Sequence, residues 1–300
     1  MSTPIQPESL QSRKIIEQDN TLIGPLLSPR NSARHLGAGS IHDDATAQKL
    51  GFRGGTVAGS LHMEQFPPLL THCFGDRWWQ DGGLSLYFRY ATVDQEPVRC
   101  FGDFRADLST VPHAHTRVWI EDDADHLVAE GTASIGGTDP ASCCRERINN
   151  TLPPEDIRIL KGISEGDTSS PVPVTLGKEI LQQRLDVITE PMPNYAADPA
   201  ALPPSLLVRM MRVSEPQILP RHKDMGVGLF GAIEVQHLAG PIFAEQKYEC
   251  TSTILKVAET PKTEYLWYES TLTTPSTQQP VASMLMMLRF MKTSSSLWQI

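Results

Sequence analysis

Apolar positions along the chain switch between a helical period and a strand period, twice in the same order. In the first half, Val57 to Phe66 reads as an apolar helix that breaks at Pro67-Pro68. Strand-like runs follow at Leu84–Ala91, Val98–Ala106, Thr116–Glu121 and His126–Ile135, and the polar stretch Asp122-Asp123-Ala124-Asp125 joins the last two as a hairpin loop. In the second half the apolar helix is predicted over Pro204–Val213, with strands at Ala232–His237, Tyr248–Val257, Glu264–Thr273 and Val281–Met291. The run Met284 to Leu288 lacks alternation, which predicts a strand covered on both faces. Ahead of the first apolar helix, Asp43 to Leu50 reads as a short helix with an Asp cap and Gly51 as its stop, followed by a Gly54-Gly55 turn.

Local echoes support a duplication. Ser60-Leu61 is answered by Ser205-Leu206, Val118-Trp119-Ile120-Glu121 by Leu266-Trp267-Tyr268-Glu269, and Ala133-Ser134 by Ala282-Ser283, at offsets of 145, 148 and 149 residues. A unit of about 150 residues is too long for a solenoid repeat and suits two copies of one small domain. The polar, Pro-containing residues 1–20 read as an arm, 21–150 as the first copy and 151–300 as the second, with a Gly/Pro/Ser/Thr/Asp-rich linker between Gly136 and Pro173. One helix followed by antiparallel strands, twice over, is an α+β pattern in which a sheet wraps a helix.

Composition narrows the partners. A net charge of −9 disfavours nucleic acid and anionic membrane, because phosphates need clustered Lys and Arg. No apolar stretch is long enough to span a membrane, and the start has no basic head before an apolar block, so a soluble, cytoplasmic protein is expected. The five cysteines, Cys73, Cys100, Cys143, Cys144 and Cys250, lack C-x-x-C spacing; Cys143 and Cys144 are expected as an inert pair on an exposed loop. His113 and His115 have no further ligands near them, and no Gly-x-Gly-x-x-Gly or P-loop occurs, so neither a metal nor another cofactor is predicted.

The densest chemistry lies between Ser40 and Leu61. His42 sits on a loop just before a helix, where substrate can reach it. Gly59, near the start of the apolar helix, offers an unpaired N–H with a positive dipole behind it, a place to hold a developing oxyanion. A base beside an oxyanion hole is the minimum kit for proton abstraction next to a carbonyl. Asp43 and Asp44 serve either as helix caps or as the acid of an acid–base pair. His62 and Glu64 lie two apart on the helix, so at most one of them faces a pocket. Arg53 either meets an anionic substrate or stays solvated.

The stretch Gly51-Phe52-Arg53-Gly54-Gly55-Thr56-Val57-Ala58-Gly59-Ser60-Leu61 resembles the Gly-Phe-x-Gly-Pro-Ile-Ala-x-Gly-Met-Leu segment of the MaoC-like hydratase/dehydratase family, and Ile41-His42 resembles the end of its Asp-x-Asn-Pro-Ile-His motif. Gly83 to Arg89 with Asp94-Gln95-Glu96 fits the strand and turn that follow, and Gly240-Pro241 with Glu245 fits the same place in the second half. The resemblance implies a double hotdog: two antiparallel sheets, each wrapped around a central helix, packed as a pseudo-dimer. It also implies enoyl or β-hydroxyacyl thioester substrates on coenzyme A or an acyl carrier protein, with water added across or removed from the 2,3 bond. His42 would be the general acid/base and Gly59 the oxyanion donor, with Arg53, Gly55, Thr56, Val57, Ser60 and His62 around the substrate. The family's catalytic Asp falls on Gly37, its Asn on Gly39 and its Pro on Ser40, which leaves Asp43 or Asp44 as substitutes. In the second half the counterpart of Ile41-His42 falls near Ile188-Thr189, and Pro203-Pro204 removes helix-start donors, so one active site per chain is expected. An isomerase or cyclase acting on a polyketide-like molecule, and a non-catalytic acyl-ligand-binding protein, are the rivals; a homodimer is left open.

Overall fold

Alternating burial builds four long strands in each half. The first half supplies β1 (Ile16–Gln18), β2 (Thr21–Ile23), β3 (Gly83–Phe88), β4 (Val98–Asp103), β5 (Ala114–Asp122) and β6 (Leu127–Ile135). The second supplies β7 (Val172–Val174), β8 (Gly228–His237), β9 (Tyr248–Glu259), β10 (Thr263–Thr273) and β11 (Pro280–Met291). The computed structural model describes residues 14–32 and 39–299; most of the predicted arm, and Gly37, lie outside the described residues. All strands of the described residues join one antiparallel sheet of eleven, ordered β1-β2-β4-β5-β6-β3-β8-β11-β10-β9-β7. The two halves therefore meet edge to edge: β3 pairs with β8, Ser85 opposite Glu234, and the order outward from that seam is the same on both sides. The fold is a double hotdog whose two sheets have fused into one.

A helix lies in the curl of each half. The first comprises α2 (Gly59–His62), a 3₁₀ turn over Met63–Gln65, and α3 (Phe66–Phe74); α1 (Asp44–Lys49) precedes it and α4 (Arg77–Asp81) follows. Pro67 and Pro68 do not end this helix as the sequence suggested. They occupy the first turn of α3, where an N–H has no helical partner to lose, and the 3₁₀ turn hands the axis over to it. Phe66, Leu69 and Leu70 are buried against the first half of the sheet. After α5 (Cys143–Asn149) and α6 (Lys178–Leu185), the second central helix is α7 (Pro204–Met211), with Leu206, Leu207 and Met210 buried.

The connecting stretch corrects a second expectation. Cys143 and Cys144 open α5, which Ser142 caps by accepting the Arg145 N–H. Cys144 is wholly buried, its N–H donates to Ser85 Oγ (2.9 Å), and it packs with Trp267, Leu285 and Met287 on the sheet face away from the central helices. A small thiol packs like an alanine-sized hydrophobe, so a polar-looking sequence can still bury one residue of a helix. α5 thus covers the seam, while Met284, Met286 and Leu288 of β11 join the other core. The remaining connection is tethered: Glu264 accepts the N–H groups of Arg158, Ile159 and Leu160 at 2.9–3.0 Å.

The repeat is visible in hydrogen bonds. Thr56 bridges Val93 and Ala201 bridges Phe243; Gln95 and Glu245 share a positive φ of about 60° in the matching turns. Cys100 and Cys250 each donate a thiol hydrogen to a central-helix carbonyl, of Gln65 and Met211. Cys100 faces Ile120 across the ladder whereas Cys250 faces Leu272, so the counterpart of Ile120 is Leu272 and not Tyr268. The Trp-containing echo is four residues out of register. Among the described residues, no helix is long and apolar enough to cross a membrane.

Candidate active site

The loop before α1 and the loop before α2 are laced together, and the lacing fixes His42. Thr56 N–H donates to the Ile41 carbonyl (2.9 Å), and Asn31 Nδ2 donates to the His42 carbonyl (2.8 Å). Gly55 makes this approach possible, since a Cβ there would meet the His42 carbonyl oxygen at 2.4 Å. The His42 side chain then donates Nδ1–H to the Thr56 carbonyl at 2.7 Å. A carbonyl only accepts, so the neutral ring is the Nδ1–H tautomer and Nε2 carries the lone pair.

His42 lines a cavity of about 230 Å³. Gly59 and Val57 at the head of α2 form one side, and Phe88 to Thr92, the chain leaving β3, forms another. The second half closes it with Gly228 to Gly231 of β8 and Arg289 of β11. Gly59 is a steric requirement: a Cβ there would meet the Phe88 ring at 2.6 Å. Its N–H makes no backbone hydrogen bond, as expected at a helix start.

His62 also lines the cavity but is buried, and desolvation pulls its pKa down to about 4, so it is neutral at pH 7. Gln65 Nε2 donates to His62 Nδ1 (3.3 Å), and His62 Nε2–H donates to Thr92 Oγ1 (2.8 Å). Thr92 is left with its own hydroxyl hydrogen to give. The Thr56 hydroxyl is buried in the same wall and has no partner. The cavity thus offers one tautomer-locked imidazole, a helix-start N–H and two buried threonine hydroxyls.

Of the predicted residues, His42, Thr56, Val57, Gly59 and His62 come together here; Arg53, Gly55 and Ser60 do not line the cavity. Arg53 binds Glu96 through two hydrogen bonds of 2.7 Å, which raises its pKa, and lies over the Tyr90 ring. It braces one wall from behind. Asp43 and Asp44 do not line it either. Asp43 caps α1, accepting from Thr46 N–H (2.9 Å) and Thr46 Oγ1 (2.8 Å), and these bonds hold its pKa below the usual range. Asp44 accepts the Gly55 N–H at 2.8 Å and so shapes the turn that carries Thr56. Both carboxylates serve backbone N–H groups, for which helix starts and glycine turns select Asp. Glu64 faces the other way, toward α7, where it accepts the Ser205 N–H (2.6 Å).

The sequence leads to a pocket walled partly by the second half, as the structure has it, but names none of the residues of that wall and misses Phe88 and Thr92. Gly226, Gly228 and Gly231 within six residues were the available signal. It also misplaced the counterpart of His42. Ala201 N–H donates to the Asn194 carbonyl as Thr56 N–H does to Ile41, which puts Tyr195, rather than Thr189, in the place of His42.

No family model matches the sequence, and no curated protein does. Solved structures share the fold. A putative MaoC domain protein dehydratase from Chloroflexus aurantiacus superposes with a TM-score of 0.62 at 10% identity, over 87% of this chain and 90% of that one. A conserved hypothetical protein from Mycobacterium tuberculosis, described as a double hotdog, gives 0.58 at 12% identity over 94% and 98%. A MaoC-like dehydratase gives 0.55 at 12% identity over 94% and 99%.

Proposed function

We propose that the protein is an enzyme of the MaoC-like hydratase/dehydratase type, moving a proton at the carbon next to the carbonyl of an enoyl or β-hydroxyacyl thioester. The observation that carries this reading is the His42 Nδ1–H bond to the Thr56 carbonyl, because it leaves Nε2 as the basic nitrogen on a residue that lines the same cavity as the start of α2. In dehydration, His42 Nε2 takes the proton from C2. The enolate oxygen is held by the Gly59 N–H, and the imidazolium returns the proton to the hydroxyl leaving C3 as water. Hydration is the reverse. The Thr92 hydroxyl, with that of Thr56 behind it, holds the hydroxyl or the water.

One observation favours isomerisation as a second reading: among the described residues, no carboxylate lines the cavity. A single histidine that returns its proton to C4 instead of to a leaving hydroxyl shifts a double bond without water.

Two thioesters separate the readings. A hydratase consumes crotonyl-coenzyme A, seen as loss of enoyl absorbance; an isomerase converts vinylacetyl-coenzyme A to crotonyl-coenzyme A and adds no water. On the active substrate, His42→Ala is expected to lower turnover by about 10²–10⁴-fold. Undiminished turnover in His42→Ala would remove the acid/base role.

A further inference from the structure

Arg289 lines this cavity, as Arg89 does, and the proposed chemistry uses neither. Arg289 sits on β11 between Leu288 and Phe290, both buried in the core, and its own side chain emerges on the opposite face. From there it lies across β8 at Gly231, where a Cβ would meet Arg289 Nε at 2.7 Å. A residue other than glycine at 231 would push the guanidinium off the strand and away from the cavity wall. One hydrogen bond holds it, Nη2 donating to the Tyr87 hydroxyl at 2.7 Å. Nε is buried and has no partner.

The other arginines nearby are matched by acid. Arg53 pairs with Glu96, Arg89 and Arg147 both pair with Glu130, and Arg145 pairs with Glu234 and Glu269. Arg289 has no carboxylate within ion-pair distance among the described residues. An unanswered guanidinium N–H calls for an acceptor, and a half-buried cation without a counter-charge favours an anionic one. Neither His42 nor His62 supplies a negative charge, since an imidazole is neutral or cationic. The planar fork suits a carboxylate or phosphate oxygen pair.

We propose that the substrate carries an anionic group, a carboxylate or a phosphate, in addition to its activated carbonyl, and that Arg289 binds this group inside the cavity. The proposal rests on the cavity being the active site, but it concerns binding and can fail separately from the reaction. Arg289 is then a specificity residue: it selects acidic substrates over neutral ones of the same shape.

Calorimetric titration with monomethyl succinate and dimethyl succinate tests this, since the two esters differ in one charge. The wild-type protein should bind the monoester at least about 10-fold more tightly. Arg289→Met should erase the difference at an unchanged melting temperature. Gly231→Ala, which displaces the guanidinium without removing it, should reduce the difference too and serves if Arg289→Met does not fold. Inorganic phosphate competing at lower concentration than monomethyl succinate would identify the anion as phosphate; the reverse order would identify it as carboxylate. Equal affinity for both esters, no saturable binding of either, or discrimination that survives in Arg289→Met would overturn the proposal. His42→Ala should keep the discrimination. Discrimination without turnover of any thioester would leave the anion site standing and remove the reaction, and turnover without discrimination would do the converse.

Discussion

The two halves place the same backbone around two different interiors. Around the first helix start stand His42, Thr56, Gly59, His62 and Thr92, with a cavity between them. The corresponding backbone bonds put Tyr195, Ala201 and Ile242 in the second half where the first has His42, Thr56 and Thr92. At the helix offset of 145, Pro204 replaces Gly59 and Leu207 replaces His62. Tyr195 is buried edge-on against Trp79, with ring centroids 5.9 Å apart. Glu64, from the first central helix, accepts the Ser205 N–H at the start of the second. A polar open site and a filled copy thus share one scaffold, and what separates them is whether each helix-start donor is left over or satisfied from within.

The largest expected effect tests that distinction directly. Gly59→Pro imposes on the first helix what Pro204 does in the second, removing the N–H at a position where helices accept proline. Both Gly59→Pro and Gly59→Ala add a Cβ against Phe88, but only alanine keeps the donor. Turnover of the proline variant should lie about 10²–10³-fold below that of the alanine variant if the N–H holds the oxyanion. Equal rates in the two would reduce Gly59 to a packing role.

Next in size is the pH dependence of the group that fills the second copy. Burial raises the Glu64 pKa from 4.5 to about 7, so its contribution to stability is complete below pH 4.5 and is lost as pH rises through 7. His62 and His237 run the opposite way. Burial lowers each from 6.5 to about 4, so their contribution is complete above pH 6.5 and is lost as pH falls toward 4. Between pH 4.5 and 6.5 the carboxyl offsets one of the two histidines. Glu64→Gln keeps an acceptor for Ser205 N–H and brings an N–H₂ near the unpartnered Tyr195 hydroxyl. Urea unfolding should find this variant more stable at pH 8 by up to about 3 kcal/mol, with little change at pH 4.5, and more steeply weakened by acid than wild type. A stability difference that does not vary with pH would break the account.

How far the sequence anticipated this follows the same divide. Periodicity located all eight long strands and both helix starts, because half-buried strands and buried helices write their faces into the chain. It failed at Pro67-Pro68, where the effect of proline depends on helix position, and at Cys144, where a single buried residue leaves no periodic trace. Within the site, the His42 loop and Gly59 were legible because they lie in one contiguous glycine-rich segment. Arg289 was not: it comes from the other half, and its access to the cavity depends on Gly231 across a strand pair, 58 residues away in sequence. Tyr195 was hidden because an insertion shifts it relative to the helix offset, and only the Asn194–Ala201 bond reveals its place.

The smallest expected effects concern Asp43 and Asp44, which the first half uses to hold its loops. Asp43→Asn keeps an oxygen to accept the Thr46 N–H, and Asn caps helices about as well as Asp, so a loss below about 0.5 kcal/mol and unchanged turnover are expected. Asp43→Ala removes the cap and should cost about 1 kcal/mol, again with turnover kept. Asp44→Asn retains an acceptor for the Gly55 N–H but weakens a charge-assisted bond. Because that turn carries Thr56, whose carbonyl fixes the His42 tautomer, its effect should pass through His42 and stay within a few-fold on turnover. Rates for the Asn and Ala variants of each residue, beside their melting temperatures, separate bracing from chemistry. A loss of 10²-fold or more in an Asn variant that melts like wild type would show that the carboxylate takes part in the reaction, restoring the two-group arrangement that the open cavity otherwise lacks.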